Sequence, residues 1–299
     1  MLFIQTKTDI QRLLAGAGVE PNKRLGQHFL IDLNLMRLLV NSADIHNNDI
    51  VLEVGCGTGS LTEALAQHAG YCLAVELSEG LAKIARRQLA KIENVEIINI
   101  DILENKKTLS HVVANALALA RKKYTGQILL VANLPYNVAS PVMLNLVTGP
   151  TVADSMYVTV QKEVADRMTA APGSSDYGTL SIFLGATGDI KTIRVLKPTV
   201  FWPRPQVDSA MVSFVRKEAK LGRIQNMELF SETINLFMGH RRKMLKACTK
   251  LARGKLAKIN NWPEIFARCR IDSTQRPEQL APEDYIAIAN LCYGVPTNT

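Results

Sequence analysis

The sequence has little that would staple or anchor the chain from outside. Its 299 residues hold five cysteines, Cys56, Cys72, Cys248, Cys269 and Cys292, with no CxxC pair and no regular spacing. A disulfide framework or a structural zinc site is therefore not expected, and a reducing cytoplasm suits the chain. No uncharged apolar stretch is long enough to cross a bilayer, so no membrane association is expected. The opening Met1-Leu2-Phe3-Ile4 is interrupted by Gln5, Lys7 and Asp9, which leaves no signal-peptide core. Internal repeats and low-complexity tracts are also missing. What the chain does have is length, apolar content and positive charge. With 47% hydrophobic residues it can bury a large domain plus a smaller one. A net charge of +8 and a pI near 9.3 point to a polyanionic partner, provided the charges cluster.

An amphipathic patch around Ile10 to Leu14 is stopped by Gly16, Gly18 and Pro21. The basic and aromatic stretch 22–30 follows, and Asp32 is positioned to cap a helix over 33–43. That stretch reads either as a ligand-contacting arm or as a solvated leader with Phe29 and Leu30 packed on the core. From residue 50 strands and helices alternate, which predicts a Rossmann-like α/β fold: a parallel sheet with helices on both faces. The strands are expected at 50–54, 72–76, 95–100, 128–132 and 156–161. Helices are expected at 60–68, 79–90, 109–122 and 141–146. Pro172 to Asp176 breaks the pattern as a loop, and 180–186 reads as a helix. Two further strands, 192–196 and 210–215, are expected as an antiparallel pair at the end of the sheet. After Lys217 only helical patches remain, at 227–237, 241–251, 263–268 and 283–291. The expected division is 1–217, with the sheet, and 218–299, a small helical domain.

The first strand ends in Glu53-Val54-Gly55-Cys56-Gly57-Thr58-Gly59 and opens a helix. Glycines there allow tight backbone geometry and close ligand approach, and a helix amino terminus offers free N–H groups. A dinucleotide fingerprint needs G-x-G-x-x-G, but the third glycine comes one residue early and Ser60 takes the expected place. The loop suits a nucleoside with carboxyl and amino ends better than a pyrophosphate. Glu76, ending the second strand, can accept from both hydroxyls of a ribose. Asp101, after the third, can accept from an adenine amino group while Ile102 packs on the ring. Each acid alone is an ordinary cap or turn residue. At the carboxyl ends of successive strands, Gly55, Gly57, Glu76, Asp101 and Ile102 together predict an adenosyl cofactor. Cys56 has no neighbouring His or second Cys and is not read as a nucleophile.

Asn133-Leu134-Pro135-Tyr136 ends the fourth strand beside that cofactor. Alone it is a strand-ending turn. In this place the Asn133 side-chain oxygen and the Pro135 carbonyl can accept from the two N–H bonds of an exocyclic adenine amine, and Tyr136 can stack on the base. Positioning and electrostatics then outweigh a strong general base, and the base must be unpaired or flipped.

With these motifs the chain resembles the small-subunit ribosomal RNA adenine N6,N6-dimethyltransferases, over nearly its whole length. The likeness lies in Leu25-Gly26-Gln27-His28-Phe29-Leu30, 53–59, Val75-Glu76, Asp101 and 133–136. It continues through 177–181, Phe201-Trp202-Pro203-Arg204-Pro205-Gln206-Val207-Asp208-Ser209, Arg241-Arg242-Lys243 and 271–280. The resemblance implies methyl transfer from S-adenosyl-L-methionine to N6 of two adjacent adenosines in the 3′-terminal hairpin loop of 16S rRNA. The implied partner is the small-subunit rRNA of a pre-30S subunit, met by a cytoplasmic monomer with a role in subunit biogenesis. It also implies that His28, where many members carry Asn, and Leu30 touch the cofactor, and that Asn133 borders it. Phe201 is implied to cover the adenine face opposite Tyr136. The related large-subunit adenine methylases that confer antibiotic resistance share the glycine loop and the Asn-Leu-Pro-Tyr element, and are the nearest rival. A nicotinamide oxidoreductase and a non-catalytic RNA-binding assembly factor are more distant ones.

The positive charge does cluster. From His240-Arg241-Arg242-Lys243 it runs through Lys246, Lys250, Arg253, Lys255 and Lys258, with no acid between Glu232 and Glu264. Such a run is often a solvated helix face, but its density favours phosphate neighbours. Arg241, Arg242, Lys243 and Lys246, with Lys23 and Arg24, are the expected RNA contacts.

Overall fold

The computed structural model describes residues 5–22, 26–106 and 108–294. Its strands are β1 (Phe29–Leu30), β2 (Ile50–Val54), β3 (Tyr71–Glu76), β4 (Val95–Asn99), β5 (Leu103–Asn105), β6 (Thr108–Leu109), β7 (Ile128–Asn133), β8 (Ser155–Gln161), β9 (Gly188–Leu196), β10 (Phe201–Trp202) and β11 (Ser209–Arg216). The helices are α1 (Lys7–Ala17), α2 (Leu33–Ser42), α3 (Ser60–Ala66), α4 (Glu79–Gln88), α5 (His111–Ala120), α6 (Ala139–Thr148), α7 (Lys162–Thr169), α8 (Thr179–Thr187), α9 (Glu218–Leu221), α10 (Met227–Met238), α11 (Leu245–Cys248), α12 (Trp262–Cys269) and α13 (Pro282–Tyr293).

The chain divides into two compact units, 1–165 with 191–215, and 166–190 with 216–299. The last of the three division points, between 215 and 216, falls beside the boundary expected near 217. Residues 166–190, expected with the sheet, belong instead to the helical unit. The burial of α8 gives the reason: Leu180, Ile182, Phe183, Leu184 and Ala186 are all buried, and a helix apolar all round needs neighbours on every side. Phe183 meets the Phe230 ring of α10 edge-on at 5.6 Å. In the same unit the Tyr177 hydroxyl donates to the Leu280 carbonyl at 2.8 Å, and Gly173 N–H to the Glu278 carbonyl at 2.7 Å, which ties down the Pro-Gly-Ser loop. Phe237 packs against Trp262 and Tyr285, so this unit has a core of its own.

In the first unit, seven strands among the described residues form one sheet in the order β4-β3-β2-β7-β8-β11-β9. Strands β4, β3, β2, β7 and β8 run parallel, and β11 is antiparallel to β8. The central strands are buried on both faces and accordingly read as continuous apolar runs. Chain order proceeds β2 to β4 on one side and resumes with β7 on the other. The gap between β2 and β7 is thus the switch point at which open α/β sheets leave a crevice beyond the carboxyl ends of their strands.

The amino-terminal stretch packs on the core and also lines the crevice. Helix α1, capped by Thr6 and Asp9, buries Ile10 and Leu14 against Leu81 and Ile84 of α4. β1 pairs antiparallel with β10, setting Phe29 opposite Trp202 and Leu30 opposite Phe201. Sequence periodicity did not reveal α7, the β5–β6 hairpin or these two-residue strands, which are too short to show a pattern.

Candidate active site

A cleft of about 1070 Å³, counting its open mouth, lies at the carboxyl ends of β4, β3, β2 and β7. It is lined by His28, Leu30, Glu53, Gly55, Gly57, Glu76, Asp101, Ile102, Asn133 and Pro135, among others. The topology therefore gathers every residue expected at the cofactor.

The glycine loop is shaped by two hard contacts. Gly55 has φ +80°, and a Cβ there would sit 2.9 Å from Pro135 Cγ. Gly57 has φ +59°, and its Cβ would meet the Phe29 ring at 2.9 Å. Backbone strain and space both demand glycine at these points. The Glu76 carboxylate reaches back to the loop: Oε2 accepts from Gly57 N–H and Oε1 from Ser78 N–H, each at 2.9 Å. Burial raises its pKa, and those backbone donors offset part of the rise. Asp101 is exposed, its Oδ1 accepting from Leu103 N–H at 3.0 Å, while Ile102 is buried beside it.

Two residues around the glycine loop carry roles that its motif does not announce. Glu53 ends in the core beneath the cleft, 2% exposed, with the Thr62 hydroxyl donating to its Oε2 at 2.5 Å. Burial pushes its carboxyl up to about 8. A charged residue in an otherwise apolar buried strand was the available signal. Gln5 bonds into the loop from the amino terminus through Thr58 and Ser60, and nothing in the sequence marked it. Cys56 is buried, and its thiol is pushed well up by burial, so it stays a protonated small side chain.

The donor set fits an adenosyl sulfonium amino acid. The loop and the start of α3 offer backbone N–H groups, Glu76 and Asp101 offer acceptors for hydroxyls and an amine, and Ile102 gives a flat apolar wall.

Asn133 is fixed at both ends of its amide. Nδ2 donates to the His28 carbonyl at 2.6 Å, and Oδ1 accepts the Thr159 hydroxyl at 2.6 Å. A carbonyl only accepts, so the amide orientation is determined. Pro135 sits at the turn, where its carbonyl also accepts from Val138 N–H at 3.1 Å. Tyr136 is half-buried. Its hydroxyl is 2.7 Å from Ser209 Oγ, and burial raises its pKa. Its ring leans on His28 at 5.4 Å, and His28 Nδ1 donates to the Pro203 carbonyl at 2.6 Å, leaving Nε2 free of that bond. Phe201, expected opposite Tyr136, is 2% exposed and packs in the core cluster that includes Leu30, Met36 and Met211, where β10 pairs with β1, and it is not among the residues lining the cleft.

The expected RNA contacts lie in the second unit, except Lys23 and Arg24, which fall outside the described residues. Arg242, Lys243 and Lys246 are exposed. Arg241 is not free as expected. Its guanidinium pairs with Glu278 at 3.0 Å and reaches the Ser175 carbonyl at 3.3 Å, which braces the loop. Among the described residues no helix is long and apolar enough to cross a membrane.

Residues 18–292 match the family described as ribosomal RNA adenine dimethylase. The ribosomal RNA small subunit methyltransferase A of Pelotomaculum thermopropionicum is 35% identical over 295 residues, 97% of either chain. The protein of that name from Latilactobacillus sakei is 37% identical over 283 residues, 94% of this chain and 92% of its own. Among solved structures, a dimethyladenosine transferase from Plasmodium falciparum aligns with a TM-score of 0.67 at 21% identity, covering 86% of this chain and 94% of its own. The 23S rRNA methyltransferase ErmE gives 0.62 at 20%, covering 88% and 98%. At these identities both structures speak for the fold, and they agree with the Rossmann-like α/β sheet.

Proposed function

The chain belongs to the ribosomal RNA adenine dimethylase family, and on that premise we propose that it dimethylates N6 of two adjacent adenosines in the 3′-terminal hairpin loop of small-subunit rRNA. Its activity is S-adenosylmethionine-dependent dimethylation of ribosomal RNA adenine. When bound, that cofactor supplies a methyl group already activated by its sulfonium, so the protein's part is to hold and orient.

The observation that carries the reading is the locked Asn133 amide at the end of β7, beside the Glu76 and glycine-loop wall. An exocyclic adenine amine is a poor nucleophile because its lone pair is delocalised into the ring. The Asn133 Oδ1 and the Pro135 carbonyl each retain accepting capacity beyond the bond already made, and accept from the two N–H groups of that amine. This favours a more pyramidal nitrogen whose lone pair faces the methyl donor. Tyr136, its hydroxyl held by Ser209, stacks on the base. A base in a duplex cannot enter such a site, so the substrate nucleotide is unpaired or flipped. Glu76 and Asp101 hold the ribose and adenine of the cofactor, with Gly55, Gly57, His28, Leu30 and Ile102 around it.

The near full-length likeness to relatives named small subunit methyltransferase A supports the small-subunit target. Arg242, Lys243 and Lys246 supply exposed positive charge for phosphate contact in the second unit. Because side chains must reach an unpaired base, we infer a pre-30S particle as the partner and a role in subunit biogenesis. Primer extension on unmodified small subunits treated with enzyme and cofactor tests this. Stops at two neighbouring adenines near the 3′ end of the small-subunit rRNA are expected, and stops confined to large-subunit rRNA would replace the target.

A further inference from the structure

Strand β8 reads Ser-Met-Tyr-Val-Thr-Val-Gln, and Thr159 is the polar side chain in the middle of its buried part. It is 1% exposed, flanked by Val158 and Val160 at 0%, and stands opposite Met211, also at 0%, on β11. A threonine hydroxyl at such a position needs a partner. Thr159 finds one across the parallel pairing of β7 and β8, where Asn133 is its direct register partner. The hydroxyl donates to Asn133 Oδ1 at 2.6 Å, and the Thr159 carbonyl accepts from Leu134 N–H at 3.1 Å. One residue thus holds both the backbone and the side chain at the start of the Asn-Leu-Pro-Tyr turn.

We propose that Thr159 is a positioning residue for methyl transfer, its buried hydroxyl setting the direction in which the Asn133 amide oxygen meets the adenine amine. The inference rests on the role given to Asn133 above. The terminal torsion of asparagine is broad and weakly restrained by sterics, so hydrogen bonds decide where the amide points. The His28 carbonyl anchors Nδ2, and the Thr159 hydroxyl anchors Oδ1. With one anchor the amide swings about the other. With both, the remaining accepting direction of Oδ1 is fixed before substrate arrives, and the oxygen needs no reorganisation during the reaction. Thr159 does not line the cleft, so it acts only through Asn133.

The test compares Thr159→Val, which keeps shape and removes the hydroxyl, with Thr159→Ser, which keeps the hydroxyl, using the full chain and unmodified small ribosomal subunits. Single-turnover tritiated-methyl transfer at saturating cofactor gives the rate, and calorimetry gives the cofactor Kd. Thr159→Val is expected to slow transfer about 10- to 100-fold with Kd changed by less than about twofold, and Thr159→Ser to stay within about threefold of the parent rate. If the valine variant binds no cofactor, Thr159→Ala is judged by the same two readouts. A parent-like rate in the hydroxyl-free variant, or a loss that serine fails to rescue, overturns the proposal. Asn133→Ala is run alongside. If it too transfers at the parent rate, the reading of Asn133 falls and takes the proposal with it; if it is inactive while the hydroxyl-free variant is not, only the Thr159 role falls.

Discussion

Gln5 donates its side-chain amide to the Thr58 carbonyl at 3.2 Å and accepts the Thr58 hydroxyl at 2.5 Å, so the amino-terminal segment is bonded into the glycine loop. Its backbone N–H adds a bond to Ser60 Oγ at 3.2 Å, and the residue is buried. The glycine loop, proposed above to surround the cofactor, is thereby held from outside the sheet.

Gln5→Ala removes both side-chain bonds and leaves the Thr58 carbonyl and hydroxyl without those partners. At about 0.5–1.5 kcal/mol for each of the two bonds, the cofactor Kd is expected to rise by about 5- to 150-fold, with transfer at saturating cofactor little changed. Calorimetry with S-adenosylmethionine measures this. An unchanged Kd would mean that the loop keeps its shape without the strap.

Glu53 gives a pH dependence with a definite sign. Its carboxyl has a folded pKa of about 8 against an ordinary value of 4.5, so the folded state holds a proton that the unfolded chain releases. The associated stability is complete below pH 4.5 and is lost as pH rises through about 8. Glu53→Gln cannot ionise, so the Tm of the variant relative to the parent is expected to climb between those limits and level off above them. Glu76, also raised by burial, is present in both proteins and largely cancels in the difference. A Tm difference independent of pH would contradict the assignment.

Phe201→Ala separates packing from stacking. With the ring 2% exposed among Leu30, Met36 and Met211, truncation is expected to cost about 3–5 kcal/mol of stability, read by denaturant unfolding. A variant of parent stability that has lost methyl transfer would return Phe201 to the face of the adenine.

The parts of this molecule that were legible in the sequence are those whose signal is local. β2, β3, β4, β7 and β8 are short, mostly apolar runs, and Gly55, Glu76, Asp101 and Asn133 lie at or within two residues of the ends of β2, β3, β4 and β7. That is enough to place a cofactor cleft. What stayed hidden depends on partners distant in sequence. Thr159 lies 26 positions from Asn133 and Gln5 lies 53 from Thr58, and no local pattern pairs them. The burial of Phe201 was not readable from its motif, because it follows from the pairing of β10 with β1, about 170 positions earlier in the chain. Arg241 looked like part of a free basic run until Glu278, 37 residues later, proved to be its partner. The segment 166–190 reads as a continuation of the sheet, and only the burial of α8 on all sides assigns it to the helical unit.

Nucleoside mass spectrometry shows whether the Asn133 amide at the end of β7 directs methylation of adenine N6. Unmodified small subunits are incubated with S-adenosylmethionine and either the parent protein or Asn133→Ala, and the rRNA is digested to nucleosides. The account predicts N6,N6-dimethyladenosine with the parent and a loss of at least about 100-fold with Asn133→Ala, while both proteins bind the cofactor with similar Kd. No dimethyladenosine with the parent, or parent levels of it with Asn133→Ala, would contradict the account.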